Sequence, residues 1–119
     1  MESPCLLLVD DEPALMDLLK KYLERLGYRV DACSHPDAAL ELLNAHPERY
    51  AVLVTDLTLP DMSGEDLILR SRERVPGLRA IIASGYPYEP RVAGVEFLQK
   101  PFRPNLLAQA VERALKAYD

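Results

Sequence analysis

The chain has 119 residues, 49% of them apolar and 28% charged, with 14 Lys+Arg against 19 Asp+Glu for a formal net charge of −5. This length and balance suit one domain, residues 1–119, with a buried core, and exclude a second folding unit or a disordered tail. An acidic balance without a Lys/Arg stripe argues against direct nucleic-acid binding, and the longest unbroken apolar run, Cys5–Val9, is far short of the ~20 residues that cross a bilayer. No membrane partner and a cytoplasmic location are therefore expected. Cys5 and Cys33 lack CxxC spacing, so reduced thiols are expected and neither a disulfide framework nor a zinc cluster.

Short apolar runs alternate with segments of helical period, the pattern of repeated βα units around a parallel sheet. The run Cys5–Val9 is apolar at every position, as a parallel strand covered on both faces requires, and it ends abruptly in Asp10 and Asp11. Pro13 suits a first helical position; Leu15, Leu19, Tyr22, Leu23 and Leu26 make one apolar face before Gly27 stops the helix. Residues 28–33 read as the second strand. Residues 34–37 open a second helix with Ala39, Leu40 and Leu43 inward, ending near His46 and Pro47. Residues 50–55 form the third strand and end in Asp56. The turn-rich segment 57–64 leads into a helix over 65–75, stopped by Pro76 and Gly77. Residues 79–83 are strand four, followed by Ser84 and Gly85; Val95–Gln99 is strand five, closed by Lys100 and Pro101. Pro104 starts the last helix, whose inward face is Leu107, Ala110, Val111, Ala114, Leu115 and Tyr118.

Asp10, Asp11, Asp56, Ser84 and Lys100 each sit where a strand has just ended, and open α/β sheets bind ligands outside those ends, at the switch point. If strands one and three are neighbours, three carboxylates converge, and two such charges ~4 Å apart repel by ~4 kcal/mol at an effective dielectric of 20. An oxygen-only donor set selects a hard divalent cation and fits Mg²⁺ better than Ca²⁺. With Lys100 as a fixed positive charge and Ser84 as a small hydroxyl, the site suits a phosphoryl group, whose transfer needs positioning and charge neutralisation. Asp56 is the candidate nucleophile, because a carboxylate can form an acyl phosphate. His35 and His46, beside prolines at helix ends, read as solvated surface residues.

Four segments in order, LLLVDDE, VLVTDLTLPDMSG, ASGY and QKPF, resemble the receiver domain of two-component response regulators, and the likeness covers the whole chain. The resemblance implies a doubly wound, flavodoxin-like five-stranded parallel sheet of order 2-1-3-4-5. It implies that Asp56 accepts a phosphoryl group from the phosphohistidine of a histidine kinase or histidine phosphotransfer domain. Mg²⁺ would be bound by Asp11, Asp56 and the backbone carbonyl of Thr58, with Asp10 acting largely through water. Ser84 and Lys100 would hold phosphoryl oxygens, Phe97 would be the aromatic switch, and the Lys100–Pro101 peptide would be cis. Side chains at Thr58 and Tyr86 lie where they could govern the phosphorylated lifetime.

Two other readings compete. An aspartyl-phosphate-forming Mg²⁺ phosphatase would share the acceptor, but that class usually has an acid where this chain has Thr58, and normally a further acidic motif and a cap. A pseudo-receiver that only binds partners would be favoured by a missing site residue, and all are present. The chain reads as a stand-alone regulator or as the receiver of a larger protein such as a hybrid kinase, and a downstream protein could be a further partner of either. One departure from the family stands out: Lys100 follows Ser84 by only 16 positions, too few for the usual intervening helix. Pro87, Pro90 and Gly94 break the stretch further, so that helix is expected to be short or absent. Receivers commonly dimerise through it, so a monomer is expected.

Overall fold

The computed structural model describes residues 3–116. The chain order is β1 (Cys5–Val9), α1 (Pro13–Arg25), β2 (Arg29–Cys33), α2 (Pro36–Ala45), β3 (Tyr50–Asp56), α3 (Gly64–Arg74), β4 (Arg79–Ser84), β5 (Val95–Gln99) and α4 (Pro104–Lys116). All strand pairings are parallel and the sheet order is β2-β1-β3-β4-β5. Successive side chains along a strand face opposite sides, and the sheet accordingly separates two cores. Leu7, Val9, Leu53 and Ile82 pack with Leu43 of α2 and with Leu67 and Ile68 of α3. Leu6, Leu8, Val52, Val54 and Ile81 pack with Leu19 and Leu23 of α1 and with Leu107 and Val111 of α4. The all-apolar β1 is buried at every position because both faces are covered.

The chain turns to opposite sides of β1, and this reversal opens a crevice at the carboxyl ends of β1 and β3. Register does the rest: Val9 pairs with Thr55 and Asp56 with Ala83, so the residues that follow β1 lie beside the end of β3. Strands β3 and β4 each run one residue further than the sequence pattern indicates, through Asp56 and Ser84. Ladder bonding carries them on, with Leu57 N–H donating to the Ala83 carbonyl and Lys100 N–H to the Ser84 carbonyl, both at 2.8 Å. Tyr28 falls just outside β2, partly buried against the α1/α4 core. Leu107, Ala110 and Val111 form the buried face of α4 as its period indicates; Tyr118 lies outside the described residues.

Among the described residues no helix joins β4 to β5; residues 85–94 cross as an irregular segment. The Lys100–Pro101 peptide is cis. Both thiols are free, and burial pushes Cys33 up to about 11, with the nearby Asp31 charge adding to the effect.

Candidate functional site

Asp10 is buried at 4% exposure directly after β1, and its carboxylate is fixed by the Glu12 amide, which donates to Oδ1 at 2.8 Å. Asp11 is exposed at the rim. One carboxylate oxygen from each of Asp10, Asp11 and Asp56 falls within 4.8 Å of the others, and among the described residues this is the one such cluster of potential metal ligands.

Lys100 enters from the end of β5 with its side chain only 15% exposed. Its Nζ lies 3.0 Å from Asp10 Oδ2, 3.2 Å from Glu12 Oε1 and 3.4 Å from Asp56 Oδ2. Burial disfavours the ammonium, but the hydrogen bonds and charges of Asp10, Glu12 and Asp56 outweigh it and hold the Lys100 pKa above the ordinary lysine range. Burial also raises the Asp56 pKa; Lys100 opposes this, and Asp10 reinforces it.

The Asp56 backbone is held by close approach. Gly64 opens α3 against it, its N–H donating to the Leu57 carbonyl at 2.7 Å. Between them the chain turns through Asp61 in the left-handed region at φ 68, and Thr58 pairs with Ser63 across this turn. A backbone hydrogen bond from Thr58 reaches Asp56 and favours its charged form. Ser84 is 2% exposed, and its Oγ accepts the Tyr86 N–H at 3.0 Å, leaving the hydroxyl hydrogen to serve a second partner. Asp56, Thr58, Ser84 and Lys100 line one cleft of about 540 Å³, walled on its apolar side by Leu15, Tyr86 and Phe102.

The structure therefore brings together Asp10, Asp11, Asp56, Thr58, Ser84 and Lys100. Phe97 lies apart, half-buried on the α2/α3 side of the sheet, its ring edge-on to Tyr88 at 6.0 Å between centroids. The Tyr88 hydroxyl in turn donates to Glu65 in the first turn of α3, and burial followed by this carboxylate pushes Tyr88 up to about 12. His35 is no member of the site, but it does more than face solvent. Its Nδ1 accepts the Asp37 N–H and caps α2, and its Nε2 lies 3.3 Å from Asp61. Glu12 is the site residue that the sequence analysis left without a role; the signal was its place as the third acid in the run Asp10-Asp11-Glu12.

The donor set fits Mg²⁺. Three carboxylates converge and, among the described residues, no His or Cys joins them; counting Glu12, the site holds four negative groups against one ammonium, an excess that a hard divalent cation relieves.

The chain matches the family described as response regulator receiver domain over residues 6–112. It is 33% identical over 113 residues to the transcriptional regulatory protein FixJ of Rhizobium meliloti, covering 90% of this chain and 54% of that protein. It is 31% identical to the sensor kinase CckA of Brucella abortus, covering 98% of this chain and 13% of the kinase. The chain thus spans about half or less of these curated relatives. Among solved structures, a response regulator receiver protein from Sinorhizobium medicae superimposes with a TM-score of 0.90 at 28% identity, covering 99% of this chain and 98% of that one. The receiver domain of the hybrid histidine kinase CckA does so with a TM-score of 0.84 at 27% identity, covering 93% and 98%.

Proposed function

Because the chain belongs to the response regulator receiver domain family, we propose that it is a phosphorylation-dependent switch in which Asp56 accepts a phosphoryl group from a phosphohistidine. Receivers are phosphoacceptor signalling domains and not enzymes in the ordinary sense. The observation that carries the reading is the sharing of Lys100 between buried Asp10 and Asp56 at the mouth of one cleft.

In the proposed step an Asp56 carboxylate oxygen forms the new O–P bond while the donor's P–N bond breaks, its electron pair returning to the imidazole. Asp10, Asp11, Asp56 and the Thr58 carbonyl would hold Mg²⁺, which supplies charge neutralisation at the phosphoryl oxygens. Lys100 offers its ammonium to one phosphoryl oxygen and the Ser84 hydroxyl is the donor for another. Leu15, Tyr86 and Phe102 narrow the approach to Asp56 and limit the water that reaches the acyl phosphate, so self-dephosphorylation is slow. Phe97 is the aromatic that responds when Ser84 turns toward the phosphoryl group.

The donor we propose is a histidine kinase or histidine phosphotransfer domain, with a downstream protein reading the switch. The receiver unit fills residues 1–119, as a stand-alone regulator or within a larger protein. Among the described residues no helix is long and apolar enough to cross a membrane, and a cytoplasmic place of action goes with the proposed donor. The helix-free β4–β5 connection supports a monomer.

Incubation with acetyl phosphate and Mg²⁺ is expected to add about 80 Da to the wild type and nothing to Asp56→Asn, read by intact-protein mass spectrometry. Equal gain on the variant would move the acceptor elsewhere.

A further inference from the structure

Glu12 is the N-cap residue of α1, yet its side chain makes no capping bond. Short polar side chains serve that position because they reach the free N–H groups of the first turn. Here the carboxylate extends along the cleft and meets Lys100, 88 positions away in the chain. Helix α1 thus begins without a side-chain cap, its capping residue committed to the site.

The three carboxylates on Lys100 are not equivalent. An ammonium has three N–H donors, and Asp10, Glu12 and Asp56 surround it at 3.0, 3.2 and 3.4 Å. A phosphoryl oxygen can be served only if one contact yields. Asp10 is buried, and stripping its partner would leave a charge away from water. Asp56 stays a carboxylate, and keeps its contact with Nζ, until the O–P bond forms. The Glu12 side chain, 60% exposed, passes back to solvent with little penalty.

We propose that Glu12 is a positioning residue that holds the Lys100 ammonium in the resting chain and releases it to an entering phosphoryl group, thereby setting how readily Asp56 is occupied. This rests on the reading of Asp56 as acceptor. The competing account is bulk repulsion, since any acid at the cleft mouth opposes an anionic donor. Side-chain length separates the two. Glu12→Asp keeps the charge but is one methylene too short to reach Nζ, and it restores a good helix cap; Glu12→Ala removes charge and contact together.

The test measures affinity for beryllofluoride in the presence of Mg²⁺, and the ¹⁵Nζ resonance of Lys100, assigned through its loss in Lys100→Arg. Both variants are expected to bind beryllofluoride about two- to fivefold more tightly than wild type. The ammonium resonance should move in the same direction in both before any addition, and Glu12→Asp should also melt higher. Tighter binding by Glu12→Ala alone would assign the effect to bulk charge and overturn the proposal, as would wild-type affinity in both variants. Glu12→Gln, which keeps the length and loses the charge, is expected to fall between wild type and Ala, and stands in should either variant fail to fold. Wild type that neither binds beryllofluoride nor gains mass with acetyl phosphate would remove the acceptor reading and this inference together. A competent wild type with unchanged variants would remove this inference alone.

Discussion

At Gly64 a Cβ atom would lie 2.2 Å from the Asp56 carbonyl oxygen, a distance no side chain tolerates, so the backbone of Asp56 and the start of α3 meet only because this residue is glycine. Gly64→Ala is expected to destabilise the protein by ~1–3 kcal/mol, as overpacking does, and to reduce acceptance at Asp56; urea unfolding and mass spectrometry read the two effects. Asp56 itself should make stability depend on pH. Its folded pKa is raised, first by burial, so folding favours the protonated form. That contribution is fully present below the ordinary carboxylate pKa and is lost as pH rises through the raised folded value, above which the ionised group weighs against the fold. In chelator, Asp56→Asn should therefore melt above wild type at about pH 7, with the advantage shrinking toward about pH 4. Melting curves that stay parallel across that range would contradict the assignment. At this scale the acids and Lys100 were legible in the sequence, because parallel strands deliver their carboxyl ends to one edge of the sheet. The role of Glu12 was not, since its partner stands 88 positions away and its position beside Pro13 reads simply as the start of a helix.

The connection between β4 and β5 shows what sequence pattern reveals about an element and what it hides. Pro87, Pro90 and Gly94 forecast a broken segment, and residues 85–94 form no helix. Nothing periodic marked Tyr88, which bonds Glu65 across 23 positions and meets the Phe97 ring at 6.0 Å. One aromatic side chain here anchors a segment that a helix would otherwise anchor through a whole face. Tyr88→Phe keeps the ring and loses the bond, and should cost about 1 kcal/mol; Tyr88→Ala should cost more, since the aromatic contact goes as well. Urea unfolding gives the first quantity, and faster hydrogen exchange confined to 85–94 would show that the segment has come loose. Strand limits were legible to within a residue, and the misses at Asp56 and Ser84 arose because polar side chains signalled an ending while the backbone ladder continued.

Across the whole molecule, the order β2-β1-β3-β4-β5 was legible only through resemblance to a family, because neighbouring strands leave no mark on each other's local pattern. That order distributes charge in a way the net value conceals. The first 69 residues carry 14 acids and five Lys/Arg, and the last 50 carry five acids and nine Lys/Arg. The early strands occupy one edge of the sheet and the late strands the other, so the acidic and basic halves of the chain lie side by side along its width. The same sheet divides the apolar interior. Ile81 and Ile82 are consecutive and both fully buried, but Ile81 belongs to the α1/α4 core and Ile82 to the α2/α3 core. Ile→Val at each should cost ~0.5–1.5 kcal/mol. The double variant should equal the sum within ~0.5 kcal/mol, as for sites far apart, whereas Ile82→Val with Ile68→Val, which share one core, should depart from additivity. Coupling between Ile81 and Ile82 as strong as that within one core would show that strain crosses the backbone layer. The domain is in this sense a laminate, two apolar sheets of filling bonded to a stiff central ply, and substitutions can accumulate in one lamina while the other keeps its shape.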